Sequence, residues 1–364
     1  MVKSKSQTED FAALILAGGR GSRFWPRSRR RTPKQLLNIL GEGSMLQQTL
    51  TRARLVSRPE NIWIITSAEQ RAQVIAQAGD VPTAQIIGEP VGRNTAPAIG
   101  LGAELILRAR GDVPMGVFPS DHLVRHPGKF QTLIEAGIGE IQRPGRMLAL
   151  GIPPTRPETG YGYIEVIEDP HARRGALRVK RFIEKPGEAV ARRLVQAGNY
   201  YWNAGMFLWR AATILEALAE YLPGTSERLR RIADAPRSKF SSALTRWYAG
   251  CADISIDYAV LEKAPSLYCL PASGLGWNDL GSWEAVFQEL SQDGGSVKQA
   301  GELLEIGASG NFVFAPGKTV ALVGVKDHIV VETPDALLIV PRSEAQSVKS
   351  LVEELEKEGK TNLL

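Results

Sequence analysis

This 364-residue chain has little cysteine, little histidine and no long apolar run, and each shortage excludes a class of protein. Its two cysteines, Cys251 and Cys269, stand at no ligand-like spacing. A disulfide scaffold and a zinc ribbon are therefore not expected. Of four histidines, His122 and His126 have the i, i+4 spacing of a zinc pair, but no H-E-x-x-H surrounds them and Pro127 follows at once. No stretch approaches the ~20 apolar residues that cross a bilayer. Lys3 and Lys5 are offset by Glu9 and Asp10, and only the short apolar run 11–17 follows, which reads as a tail and first strand rather than a signal peptide. The expectation is a cytoplasmic protein with no membrane partner.

What is present is ordinary globular composition, 43% hydrophobic and 23% charged, which excludes wholesale disorder. The length suits two domains, or one large domain with an appendage. Net charge is +5, yet residues 20–34 hold seven cations and no acid. Such a run is either a solvated loop or a polyanion site. No stacking aromatic ladder or recognition helix accompanies the arginines at 27–31, so nucleic acid is not the expected partner.

Short apolar runs alternate with helix-period segments. Strands are predicted at 11–17, 62–66, 85–88, 116–119 and 147–152, and helices at 45–56, 68–78, 95–108 and 129–142. That alternation implies an α/β fold with a mostly parallel sheet, which binds ligands at the carboxyl ends of its strands. Residues 161–167 and 177–183 read as an antiparallel pair joined by a polar turn. Helices follow near 188–197, 211–221, 226–233 and 241–249, and a strand–loop–helix unit spans 266–290. Two domains are expected, at 1–290 and 296–364. Past a linker at 291–295, short strands at 311–315, 319–323, 329–332 and 336–340 suggest a small β appendage. Ser343 and Gln346 fit a capping box for a last helix, Val348, Leu351, Val352 and Leu355 form its apolar stripe, and Gly359 fits its stop.

The first loop carries the densest chemistry. Gly18, Gly19 and Gly21 follow a buried strand, where bare backbone N–H groups can curl around an anion. Arg23 and Lys34 add charge. No G-K-[ST] follows, so this is not a P-loop. Phe24 stands where a dinucleotide fold needs its third glycine, and the only acid near ribose distance, Glu42, sits in a G-E-G turn. In Glu89-Pro-Val-Gly-Arg-Asn-Thr-Ala-Pro, Asn94 and Thr95 either meet a base edge or cap a helix. Asp121, after Phe118-Pro-Ser, is either a ligand for a hard cation or an Asx turn. Tyr161 and Gly162 in T-G-Y-G-Y-I form either a sugar floor or a hairpin corner. Glu184 and Lys185 either hold a sugar phosphate or make a surface pair, and Asn203 is expected just before a strand. Asp279 in W-N-D-L-G-S-W is either a second metal carboxylate or part of a helix N-cap. No nucleophile–base pair of evident geometry stands in the sequence, so direct phosphoryl-type transfer between two bound substrates fits better than covalent catalysis.

Taken in order, these motifs resemble the sugar-1-phosphate nucleotidyltransferases, and among them the mannose-1-phosphate guanylyltransferases. The resemblance rests on G-G-x-G-x-R-x-x-P…P-K-Q from Gly18 to Gln35, E-P-x-x-R-N-T-A-P-A from Glu89 to Ala98, and the F-x-x-D-H, G-Y-G-Y-I, E-K-P, W-N-x-G-M-F and D-x-G-S-W elements. It covers residues 11–342. Ala204 replaces a serine common in the family. The resemblance implies a Rossmann-like mixed sheet of GT-A type, a β-helix-like C-terminal domain, and transfer of GMP from GTP to mannose 1-phosphate with Mg²⁺. Arg23, Lys34 and Lys185 would be catalytic; Gly18, Gly19, Gly21, Glu89, Asn94 and Thr95 would bind nucleotide; Tyr161, Gly162, Glu184 and Asn203 would bind sugar; and Asp121 and Asp279 would hold the metal. A homodimer is expected. With the chain ending at Leu364, no phosphomannose isomerase activity is expected. A different hexose or nucleotide, or a non-catalytic regulatory homologue, are the alternatives.

Overall fold

The computed structural model describes residues 10–41, 43–167 and 175–364. The residue Glu42, most of the N-terminal tail and most of the turn before residue 177 lie outside that range. Strands β1 (Ala12–Ala17), β2 (Ile62–Ser67), β3 (Ile86–Glu89) and β4 (Pro114–Pro119) alternate with helices α1 (Met45–Ala53), α2 (Arg71–Ala78) and α3 (Thr95–Arg110). Next come β5 (Leu123–Val124), α4 (Pro127–Glu140), β6 (Met147–Ile152), β7 (Tyr163–Val166), β8 (Leu177–Ile183), α5 (Glu188–Ala197) and β9 (Tyr200–Arg210). Helices α6 (Ala211–Tyr221), α7 (Pro223–Ala233) and α8 (Phe240–Tyr248) precede β10 (Leu267–Pro271), β11 (Trp277–Asn278) and α9 (Trp283–Leu290). The remainder is β12 (Val297–Ile306), β13 (Phe312–Val323), β14 (His328–Thr333), β15 (Ala336–Pro341) and α10 (Val348–Lys357).

One nine-stranded sheet, ordered β3-β2-β1-β4-β9-β6-β10-β8-β7, carries the first unit. The strands from β3 to β4 are parallel. β1 and β2 are continuous apolar runs because helices cover both their faces. Leu14 and Ile65 share one buried core with Ile99 and Ile106 of α3, while Ile15 and Ile64 belong to another with Leu46 and Leu50 of α1 and Ile134 of α4. Each such side chain contributes about 1.5–3 kcal/mol by leaving water. Ser44 starts α1 with a reciprocal cap, accepting from the Gln47 N–H while the Gln47 side chain accepts from its own N–H. The loops after β1, β3 and β4 therefore open on one edge of a rigid sheet.

Three local expectations need correction. Asn203 is not before a strand but inside β9, an eleven-residue strand antiparallel to β4, β6 and β7. The segments 311–315 and 319–323 are a single strand, β13, and the polar stretch after the linker forms β12 beside it. The capping box at Ser343 and Gln346 is absent: these residues lie in a 3₁₀ turn, Arg342–Ser347, and α10 starts at Val348 without a side-chain cap. The second sheet, β12-β13-β14-β15, is parallel across its first three strands. The helix α10 lies against the 3₁₀ turn Ser22–Phe24 of the first loop. No helix among the described residues is long and apolar enough to cross a membrane.

Candidate active site

Leaving β1, the chain curls over the sheet edge at Gly18 and Gly19. Both line a cavity of about 420 Å³ with Glu89, Asn94, Thr95 and Asp121. Gly21 takes φ +62°, and a Cβ there would sit 2.4 Å from Cβ of Lys34, so only glycine lets the loop close onto that lysine. Lys34 is 4% exposed. Its Nζ donates to Asp121 Oδ2 at 2.9 Å and to the Asp279 carbonyl at 2.5 Å. Burial works to raise the Asp121 carboxyl, but the charges of Lys34 and His122 prevail and hold it below its ordinary value. Behind it, buried Arg52 of α1 donates to the His122 carbonyl at 2.9 Å, and burial pushes its guanidinium down to about 10 against the pull of Asp121.

The basic run is mostly engaged within the protein. Arg20 and Arg30 pair with Glu356 of α10, each at 3.0 Å. Arg29 pairs with Asp335 at 2.8 Å and donates to the Leu363 carbonyl. Arg27 donates to the Asn38 carbonyl at 2.9 Å and lies 4.0 Å over the Phe314 ring. Arg23 and Arg31 stay exposed. Arg23 opens on a second cavity, of about 920 Å³, with Tyr161, Lys185 and Asp279.

At the head of α3, Asn94 has φ +62° and its Oδ1 accepts from the Thr95 N–H at 2.9 Å, which is a cap. The Thr95 hydroxyl accepts from the Ile256 N–H at 2.9 Å. Glu89 is buried and accepts a hydrogen bond from the Tyr248 hydroxyl. Burial outweighs that bond and pushes the Glu89 carboxyl up to about 7.

In the second cavity Tyr161 stands edge-on to Trp202 and Trp277, both with centroids 5.2 Å away. Its hydroxyl donates to Asp279 Oδ1 at 2.7 Å, and Gly281 N–H donates to the same oxygen at 3.1 Å. The cap of α9 is Ser282, so the Asp279 carboxylate is not consumed as one. Lys185 Nζ lies 2.8 Å from Glu184. A Cβ on Gly162 would lie 2.5 Å from Glu184 Oε2, so that carboxylate packs on bare backbone. Asn203 donates to Asp257 at 2.9 Å. Lys185 and Leu280 both have φ +45°, a left-handed backbone that costs a non-glycine residue of order 1–3 kcal/mol and marks these loops as held by their surroundings.

The structure thus places Gly18, Gly19, Glu89, Asn94, Thr95 and Asp121 on one cavity and Arg23, Tyr161, Lys185 and Asp279 on the other, with buried Lys34 bonded to Asp121 of the first and Asp279 of the second, while Gly21, Gly162, Glu184 and Asn203 line neither. Sequence reasoning missed Arg52, Asp257 and Arg342. Arg342 closes the second cavity from the C-terminal unit, bonding Glu284 at 2.7 and 2.9 Å and lying 3.6 Å over the Phe287 ring. An arginine inside an apolar helix stripe is the one signal that pointed to Arg52. Asp257 and Arg342 stood in no pattern that separates them from surface charges.

Both carboxylates that could hold a metal offer hard oxygen donors. Asp121 is kept ionised by its neighbours, and Asp279 is fixed by Tyr161 and Gly281. Two carboxylates suit a divalent ion whose other ligands are phosphate oxygens and water.

The chain is similar to known proteins along nearly its whole length. The family described as Nucleotidyl transferase matches residues 12–294, and the MannoseP isomerase/GMP-like beta-helix domain matches 301–355. The Xanthan biosynthesis protein XanB of Xanthomonas campestris pv. campestris (strain B100) is 37% identical over 97% of this chain and 74% of its own length. A mannose-1-phosphate guanylyltransferase of Escherichia coli is 36% identical over 96% of this chain and 74% of its own. The crystal structure of a mannose-1-phosphate geranyltransferase from Thermus thermophilus superposes with a TM-score of 0.85 at 33% identity, covering 95% of this chain and 99% of that one. With a match across the whole nine-stranded unit and relatives of this identity along nearly its full length, the chain belongs to the nucleotidyl transferase family.

Proposed function

We propose that the protein transfers GMP from GTP to mannose 1-phosphate, releasing pyrophosphate and forming GDP-mannose. The observation that carries this is Lys34, a buried lysine bonded both to Asp121, which lines the glycine-loop cavity, and to the carbonyl of Asp279, which lines the cavity of Tyr161 and Lys185. The names of the relatives point to the same sugar phosphate. Both substrates are anions, so bringing them together is the main electrostatic problem. The Gly18, Gly19 and Gly21 backbone with Arg23 holds the β- and γ-phosphates. Lys34 sits by the α-phosphate and the incoming sugar phosphate. Lys185 neutralises that sugar phosphate, while Glu184, Asn203, Tyr161 and the Gly162 backbone orient the hexose. Glu89, Asn94 and Thr95 read the base: a buried carboxylate suits the paired N–H donors of guanine.

Asp121 and Asp279 would hold Mg²⁺, which when bound supplies charge stabilisation at the α-phosphate. The attacking phosphate oxygen is already ionised, so no general base is needed, and the protein contributes positioning and charge. The transferase unit spans 1–290 and the appendage 296–364. The protein acts in the cytoplasm as a homodimer. Exposed Leu304, Ile306, Val323, Leu337 and Ile339 on the C-terminal sheet support the dimer.

The test is pyrophosphate release with Mg²⁺, GTP and mannose 1-phosphate, with ATP, UTP, dTTP and glucose 1-phosphate as parallel arms. Release confined to GTP with mannose 1-phosphate is expected. Release with another pair would overturn the base or sugar assignment, and no release with any pair would favour a regulatory homologue.

A further inference from the structure

We propose that Asp257 is a hydroxyl acceptor for the hexose, working as a pair with Asn203, and that this pair helps select the sugar phosphate. The inference deepens the functional reading above and rests on it. Asp257 opens a single π-helical turn, Asp257–Leu261, a rare geometry that concentrates at functional sites. Two hydrogen bonds, one to the Thr95 side chain and one between backbones, fix the segment to the head of α3. Thr95 Oγ1 accepts from the Ile256 N–H at 2.9 Å, and the Ala96 N–H donates to the Ile254 carbonyl at 3.1 Å. Asp257 is thereby held in the wall of the glycine-loop cavity, which Asp121 and Gly205 also line.

Its partner is held as firmly. Asn203 Oδ1 accepts from the Gly205 N–H at 3.0 Å, its Nδ2 donates to Asp257 Oδ1 at 2.9 Å, and its own N–H donates to the Gly162 carbonyl at 2.8 Å. That pattern sets the amide orientation and leaves one Nδ2 hydrogen free of these bonds. Asp257 has a second oxygen beyond its bond to Asn203. An amide N–H beside a carboxylate oxygen matches a hydroxyl group, which accepts from the first and donates to the second. Glu184 and Lys185 are the charged groups that face Asp257, and burial with the Glu184 charge pushes its carboxyl up to about 6. A neutral donor such as a sugar hydroxyl suits this position, since a further anion would meet two carboxylates.

The test compares wild type with Asp257→Asn, at saturating GTP and Mg²⁺, on mannose 1-phosphate and its 2-, 3-, 4- and 6-deoxy analogues. The variant should raise KM for mannose 1-phosphate by about tenfold or more, the usual range for losing a hydrogen bond to a charged acceptor. KM for GTP should move by no more than about threefold. With one deoxy analogue the two proteins should have kcat/KM values within about twofold, because the contact is already missing. An equal penalty on every analogue would overturn the proposal in favour of a purely structural Asp257. A rise in KM for GTP in place of that for the sugar phosphate would overturn it in favour of a ribose contact. Failure of wild type to use mannose 1-phosphate would overturn the functional reading and this inference together, whereas the other two outcomes overturn this inference alone.

Discussion

Two side chains show how environment sets the task of a residue. Asp279 is held by Tyr161 and Gly281 but packs no core, so Asp279→Ala should cut turnover by about 100-fold or more at limiting Mg²⁺ and shift thermal unfolding little. Steady-state kinetics beside a melting curve checks both halves. Glu89 is the reverse case, a buried acid whose environment favours its neutral form. The folded protein keeps its proton up to about pH 7, against an ordinary carboxyl value of 4.5. The native state then binds more protons than the unfolded chain across that window, and stability falls as pH rises through it. Glu89→Gln should flatten this dependence, removing a loss of roughly 3 kcal/mol between pH 4.5 and 7. Denaturant titrations at pH 5 and pH 7.5 read the difference. Guanine donors would favour the ionised acid, so GTP binding near pH 6.5 should release a proton, visible by calorimetry in buffers of different ionisation enthalpy.

The loops and strands explain what the sequence made legible. The first four strands were plain because β1 and β2 are unbroken apolar runs between turn signals. β9 was obscured because Asn203-Ala204-Gly205 interrupts its apolar pattern. Gly205 has φ +64° and the pairing with β6 slips between Ala149 and Gly151. β12 was hidden by its own polarity, as most of it faces solvent. The glycine loop was legible as a turn leaving a buried strand. That Arg27, Arg29 and Arg30 turn inward onto a distant segment was not, since their partners Phe314, Asp335 and Glu356 lie some 290–330 residues away in sequence. Gly21 tests the loop as an element. Gly21→Ala places a methyl group against Lys34 in a left-handed backbone, and should destabilise the protein by at least about 1–2 kcal/mol. It should also lower kcat/KM for GTP far more than that loss of stability explains.

Across the whole molecule the C-terminal unit is a wall of the site. Phe24 and Trp25 of the first loop share one core with Trp283, Phe312, Val348 and Leu355. Trp283 donates to the Trp25 carbonyl at 3.1 Å, and Trp25 to that of Leu363 at 2.9 Å. Arg342 fastens this seam through Glu284 and the Phe287 ring. Arg342→Ala should cost about 1–3 kcal/mol, as for a hydrogen-bonded, half-buried charge pair, and raise KM for both substrates together. Chemical denaturation and two-substrate kinetics check it. The ion pairs that tie Arg20 and Arg30 to Glu356 of α10, and Arg29 to Asp335 in the turn between β14 and β15, make the C-terminal unit a built-in counter-ion for the basic loop. The chain should elute from a cation exchanger earlier than its composition suggests, and Glu356→Gln should delay it. Moderate salt should screen these partly exposed pairs while leaving the shared apolar core of the seam intact.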